Sequence, residues 1–84
     1  MKRNICAVRD RQLAAFGQPI FVPTTGIAIR SFADEINNPQ SEMHKHPDDY
    51  DLFHLGTFDD DTGRFDNLEA GPTQIALGKN LLQK

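Results

Sequence analysis

The sequence contains no tryptophan and only one cysteine, Cys6, among its 84 residues. A lone cysteine forms no internal disulfide, and without a Cys-x-x-Cys pair the chain has no usual structural zinc motif. No apolar run approaches the ~18 residues that a membrane-spanning helix needs, and 25% of the residues are charged. The sequence therefore predicts a soluble protein of a reducing cytoplasm, with no membrane partner.

A signal peptide is also lacking. Lys2 and Arg3 resemble the start of one, but Arg9 and Asp10 interrupt the chain before a hydrophobic segment develops, so we expect no export. A chain of this length forms one hydrophobic core, which predicts a single domain.

Basic and acidic residues are unevenly distributed along the chain, whose net charge is −3. Residues 1–31 carry five basic side chains against Asp10 alone, a net +4, whereas residues 32–84 carry four against eleven acids, a net −7. If the basic part folds onto one face, that face suits a phosphate-bearing partner. The alternative is that a small acidic domain simply keeps itself soluble.

The first half of the chain shows two strand patterns and one helix pattern. Apolar runs at residues 4–8 and 20–22 predict strands, the second ended by Pro23. A helix is then predicted from an apolar stripe at i, i+3, i+4 and i+7, with Thr24 or Thr25 as its N-cap. The stripe consists of Ile29, Phe32, Ala33 and Ile36.

The second half predicts a loop, a hairpin and an undefined tail. Residues 39–49 lack apolar periodicity and contain two prolines, which indicates a surface loop. Residues 50–58 and 64–68 read as strands joined by the aspartate-rich turn at 59–63. The tail from residue 73 fits a short helix, an added strand or a segment ordered by a partner.

These elements predict a β-β-α-β-β order and an α+β fold, in which a small antiparallel sheet has one helix packed on a face. Residues 1–72 form the predicted domain, and residues 73–84 form a variable C-terminal tail. Because one helix over four short strands gives a thin core, we expect a homodimer.

Metal and catalytic motifs are weak in this sequence. Placing Gly63 at the sixth position of an EF-hand loop puts Phe58 where the first carboxylate ligand belongs. Cys6 lies in an apolar run and resembles a small buried residue, and no nucleophile or glycine-rich phosphate-loop motif is present. We therefore predict no metal, no cofactor and no enzymatic activity.

Binding is the remaining class of function. A groove that binds single-stranded nucleic acid has cations that contact the backbone and aromatic rings that stack on unpaired bases. Phe16, Phe21 and Phe32 are the candidate rings, although any single phenylalanine more often belongs to the core. The predicted nucleic-acid contacts are Lys2, Arg3, Arg9, Arg11, Phe21 and Arg30.

Residues 46–65 read His-Pro-Asp-Asp-Tyr-Asp-Leu-Phe-His-Leu-Gly-Thr-Phe-Asp-Asp-Asp-Thr-Gly-Arg-Phe. This block resembles the small nonstructural protein of gokushovirus-like Microviridae, which are single-stranded DNA bacteriophages. Ala-Val-Arg-Asp at 7–10, Gln-Pro-Ile-Phe at 18–21, Ala-Ile-Arg-Ser-Phe at 28–32 and Asn-Pro at 38–39 fit that family's order and spacing. The resemblance covers about residues 5–68 and leaves out the tail.

The resemblance implies a nonstructural or DNA-binding protein that acts in viral single-stranded DNA synthesis in the host cytoplasm. Arg9 and Arg30 match the basic pattern of the family, whereas no catalytic residue carries over. Two functions stay open: a single-stranded DNA-binding factor in genome synthesis or packaging, and a module that binds a phage or host replication protein through the sheet edge or the tail. A third possible function is that of an immune-evasion or host-takeover factor.

Overall fold

A computed structural model describes residues 1–83 and shows an α+β fold, which confirms the predicted class. Six antiparallel strands form one sheet, and the longest helix packs on it. The strands are β1 (Lys2–Asp10), β2 (Ala15–Phe16), β3 (Ile20–Val22), β4 (Tyr50–Asp59), β5 (Arg64–Asn67) and β6 (Thr73–Leu77). The helices are α1 (Thr25–Ile36), α2 (Glu42–Lys45) and α3 (Gly78–Leu81), with a 3₁₀ turn at Pro47–Asp49.

The long strands β1 and β4 pair along their whole length at the centre of the sheet. Both β2 and β3 pair with β1, whereas β5 and β6 pair with successive parts of β4. The register between the central strands shifts once, because Ile5 lies opposite Gly56 and Cys6 lies opposite His54. Leu55 is therefore an extra residue on β4, which is a β-bulge.

Helix α1 begins where the sequence predicted it. The Thr24 side chain accepts a hydrogen bond from the Ile27 amide, 3.3 Å away, and so caps the first turn. The core that the helix covers consists of Cys6, Val22, Ala28, Phe32, Ile36 and Leu52. Cys6 is fully buried, as predicted, and its burial raises the pKa of its thiol.

Three segments differ from the predicted elements. The predicted surface loop at residues 39–49 contains α2, whose first turn Ser41 caps by accepting from the Met43 amide, and the 3₁₀ turn. The two-residue strand β2 has no strand-length apolar pattern and was not predicted. In the tail, β6 joins the sheet and α3 packs near α1, so residues 73–81 contain both an added strand and a short helix.

Asn37 connects the end of α1 to the tail. Its side-chain amide donates to the carbonyl of Leu81 at 2.9 Å, and its side-chain oxygen accepts from the Gln83 amide at 2.7 Å. These bonds and the packing of Leu81 and Leu82 on the core hold the tail against the helix side of the sheet. No helix among residues 1–83 has the length and apolar character needed to cross a membrane.

Candidate nucleic-acid interface

The two faces of the sheet are covered differently. Side chains alternate along β1, so Cys6 and Val8 face the helices, whereas Arg3, Ile5 and Arg9 face the opposite side. Met43, Leu81 and the buried residues of α1 all pack on the first side. We call the second side the open face.

Three phenylalanines from three strands form one cluster on the open face. The Phe21 ring lies 5.6 Å from the Phe58 ring and 6.2 Å from the Phe65 ring, in edge-to-face geometry. The Phe58 and Phe65 rings, which lie opposite each other across the β4–β5 hairpin, are 4.8 Å apart. Phe65 is 66% exposed and Phe21 is 44% exposed, so much of the cluster faces solvent.

A second aromatic pair lies further along the same face. Phe16 of β2 and Phe53 of β4 meet edge to face at 5.2 Å, and Phe16 is 42% exposed. The phenylalanines flank Ile5 and Ala7 of β1, which are both buried although none of the helices in residues 1–83 contributes to the core on this side. The open face is therefore an aromatic surface over a shallow apolar layer.

A groove of about 650 Å³ adjoins Phe16. One wall is the β2–β3 connection, with Gly17 and Pro19, and the other is residues 67–72 between β5 and β6. Leu55, the bulge residue, lies between the walls. Among the residues of 1–83 that line the groove, Glu69 is the one that bears a charge.

The predicted cations differ in whether a carboxylate already pairs with them. Arg11 places its Nε and Nη2 atoms 2.7 Å from Oδ2 of Asp51, which is buried. Arg3 donates from Nε to Asp60 at 3.2 Å. Arg9 has no carboxylate within 4.0 Å among residues 1–83, and its register partners on the open face are Phe16 and Asp51.

Lys2 and Arg30 lie apart from the open face. Lys2 has the opposite parity to Arg3 on β1 and pairs in register with Asp59. Arg30 is exposed on α1, two residues from each of the buried Ala28 and Phe32, so it points away from the sheet. The structure therefore brings Arg3, Arg9, Arg11 and Phe21 to one face and brings neither Lys2 nor Arg30 to it.

The acidic turn after β4 surrounds the chain's amino group. The Met1 ammonium bonds to the carboxylates of Asp61 and Asp60, and these bonds raise the pKa of the ammonium to about 10. The same ammonium, and then Arg3, lowers the pKa of Asp60. Asp59, Asp60 and Asp61 lie close enough together to hold a cation, and in this structure the ammonium takes that place.

Sequence reasoning missed Phe53, Phe58 and Phe65 as members of one surface. Phe53 and Phe58 are five residues apart, so a regular strand would place them on opposite faces. The bulge at Leu55 adds one residue and returns Phe58 to the face of Phe53. The spacing of Phe58 and Phe65 around the predicted hairpin was the one available signal.

Comparison with known proteins gives the family. The profile described as "Phage ORF5 protein" matches residues 3–81. "Protein ORF5" of Chlamydia phage 1 is 35% identical over 73 residues, an alignment that covers 82% of this chain and 76% of that protein. No solved structure matches. These matches confirm the resemblance to a small bacteriophage protein, whereas DNA binding stays a prediction. The chain belongs to the phage ORF5 protein family.

Proposed function

We propose that this protein is a non-enzymatic accessory factor that binds single-stranded DNA through its open face during phage genome synthesis or packaging in the host cytoplasm. The observation that supports this proposal most is the set of exposed phenylalanine rings on the open face, where Phe16 lies beside Arg9, an arginine that has no carboxylate partner among residues 1–83. Aromatic rings on a sheet offer stacking platforms to unpaired bases of any sequence, and a nearby cation contacts phosphate.

The charges of the open face set the expected strength of binding. Arg3 and Arg11 are already paired with carboxylates, which leaves Arg9 as the unpaired arginine of this face among residues 1–83. One copy therefore makes few phosphate contacts, and a homodimer would double them. The acidic turn at residues 59–61 opposes close packing of neighbours along a strand, so we expect binding with little cooperativity.

The test is fluorescence anisotropy of a labelled single-stranded oligonucleotide at two salt concentrations. With about two phosphate contacts, one from the Arg9 of each subunit of a homodimer, affinity falls roughly sevenfold between about 50 and about 200 mM salt. Arg9→Glu and Arg30→Glu form a matched pair of charge reversals, one on the open face and one on the outer side of α1. We expect Arg9→Glu to weaken binding several times more than Arg30→Glu does.

Two outcomes contradict the proposal. Absence of binding at tens of micromolar protein in low salt would exclude a DNA-binding role. Equal losses for the two charge reversals would exclude the open face as the DNA-binding surface, because the two variants change the net charge equally and differ in position.

A second candidate function is binding to a phage or host replication protein. The pairing of Arg3 and Arg11 with carboxylates favours it, because these arginines then serve the fold and leave the open face mainly aromatic. An exposed aromatic patch is typical of protein interfaces as well. A Phe21→Ser, Phe65→Ser double variant that keeps its DNA affinity but loses a partner protein from infected cells would support this function.

A further inference from the structure

The groove beside Phe16 has walls that are fixed by backbone hydrogen bonds. The Gly17 amide donates to the Val8 carbonyl at 2.8 Å, which holds the first wall to β1. In the second wall, the Gly71 amide donates to the Leu68 carbonyl at 2.9 Å, and Gly71 has φ of 79°, in the region that favours glycine.

Prolines stiffen both walls. Pro19 and Pro72 line the groove from opposite sides, and their rings fix the backbone φ angle. A groove whose walls are already set binds a ligand with little ordering cost. Its volume of about 650 Å³ lies within the range of roughly 300–1,000 Å³ that is typical of small-molecule pockets.

The chemistry of the groove suits an uncharged planar ligand that carries hydrogen-bond donors. Phe16 supplies a half-exposed ring, and Leu55 and Leu68 supply apolar surface. Glu69 supplies a carboxylate acceptor and Asn67 supplies an amide, which both donates and accepts. A phosphate inside the groove would meet the Glu69 charge and, among residues 1–83, no lining cation.

A cation does lie at the edge of the groove. Arg9 pairs in register with Phe16, so their Cβ atoms lie about 5 Å apart on the same face. Arg9 thus stands beside the Phe16 ring and does not itself line the groove, so its charge is placed for a phosphate that stays outside. The charges of the groove and its edge therefore complement a nucleotide whose base enters and whose phosphate remains outside.

From this arrangement we infer that the groove is a pocket for one nucleobase of the bound strand, with a preference for bases that carry an exocyclic amino group; this inference rests on the proposed function. The amino groups of cytosine, adenine and guanine donate to the Glu69 carboxylate. Thymine has no such group, and its carbonyl oxygens face the same negative charge. Phe16 contributes stacking to every base.

The experiment uses Phe16→Trp, which places the protein's sole tryptophan at the groove. A stacked base quenches the tryptophan fluorescence. The probes are oligonucleotides of about 12 nucleotides, a length within the footprint of a small single-strand-binding domain, made of cytidine only or thymidine only. We expect quenching by both and roughly fivefold tighter binding of the cytidine oligonucleotide, a ratio that corresponds to about 1 kcal/mol, the typical net contribution of one hydrogen bond.

Two further variants assign the effect to the groove. Glu69→Gln removes the acceptor charge, and it should bring the affinity ratio of the two oligonucleotides close to one. Leu13→Trp is the matched control, because Leu13 is 75% exposed in the same β1–β3 segment but does not line this groove. Tryptophan at position 13 should show little quenching at saturating oligonucleotide.

The outcomes separate this inference from the proposed function. Anisotropy of the labelled oligonucleotide reports binding anywhere on the protein. If anisotropy shows salt-sensitive binding without quenching at position 16, or without a cytidine preference, the nucleobase pocket is wrong and the proposed function stands. If circular dichroism shows that the variants are folded and neither measurement shows binding, both are wrong.

Discussion

The two faces of the central strands differ in what covers them. On the helix side, Phe32 of α1 and Leu52 of β4 are 4% and 1% exposed. On the open face, Ile5 and Ala7 are buried in register with Phe21 and Phe53, and the nearby rings of Phe58 and Phe65 pack against Phe21. Strands β1 and β4 thus contribute to a helix-covered core on one side and to a solvent-facing aromatic surface on the other.

This difference shows that aromatic content alone does not identify the core. The helix side is built mainly from aliphatic residues and one phenylalanine, Phe32, whereas five phenylalanines lie on the open face. Exposed aromatic clusters on small proteins commonly mark binding surfaces. We therefore expect substitutions on the helix side to change stability first and substitutions on the open face to change binding first.

The largest expected effect comes from Phe32→Ala, compared with Phe65→Ala. Phe32 packs from α1 into the core, so its truncation should lower the free energy of unfolding by about 3–5 kcal/mol. Phe65 is 66% exposed, and its truncation should cost about 1 kcal/mol or less. Urea unfolding followed by circular dichroism measures both. Equal losses would contradict the distinction between the faces, because they would mean that the open face is a second core.

Glycine substitutions test whether the tail belongs to the helix-covered side. A Cβ on Gly78 would clash with the carbonyl oxygens of Pro47 and Tyr50 and come within 2.9 Å of the Ile36 side chain. Gly78→Ala should therefore destabilise the protein by about 1–3 kcal/mol. Gly26→Ala is the control: the nearest atom to its Cβ is 3.8 Å away, and alanine in helix α1 should stabilise by about 0.5–1 kcal/mol. A neutral Gly78→Ala in thermal unfolding would show that the tail is not packed as described.

Sequence patterns predicted the helix-covered side better than the open face. The stripe that includes Phe32 and Ile36 has helical spacing, and Thr24 is a favourable N-cap, so α1 followed from local chemistry alone. The open face depends on the bulge at Leu55, which is set by pairing between strands some fifty residues apart. Local periodicity contains no information on that register, so the aromatic surface and the groove were not predictable.

The predicted cations show the same limit. The sequence identifies every basic side chain, but it does not show that Arg11 pairs with Asp51, because that pair depends on tertiary contact. The position of Arg30 on the outer side of α1 depends on tertiary contact as well. Charge counts therefore predicted a single basic surface that combined β1 and α1. The structure instead separates Arg30 from the cations of the open face.

Arg11 and Arg9 lie on the same open face, and they differ in whether a carboxylate pairs with them among residues 1–83. Arg11→Ala leaves the buried Asp51 carboxylate without its partner, which should cost about 1–2 kcal/mol, less than for a fully buried pair because Arg11 is half exposed. Arg9→Ala should change the free energy of unfolding by less than about 0.5 kcal/mol. Chemical unfolding of the two variants checks this. A larger loss for Arg9 would show that Arg9 also serves the fold.

The smallest expected effect concerns Arg3, at the acidic end of the open face. The Met1 ammonium, followed by Arg3, holds the pKa of Asp60 below its ordinary value. A lowered pKa in the folded state adds stability above the unfolded-state pKa of 3.8, and this contribution is lost as the pH falls through the folded-state value. Arg3→Gln should raise the pKa of Asp60 partway towards 3.8, because the ammonium remains. An NMR titration of the Asp60 carboxyl measures the shift, with Arg9→Gln as the control. An unchanged pKa in Arg3→Gln would mean that Arg3 does not pair with Asp60 in solution, and Arg3 would then join Arg9 as an unpaired cation available to phosphate on the open face.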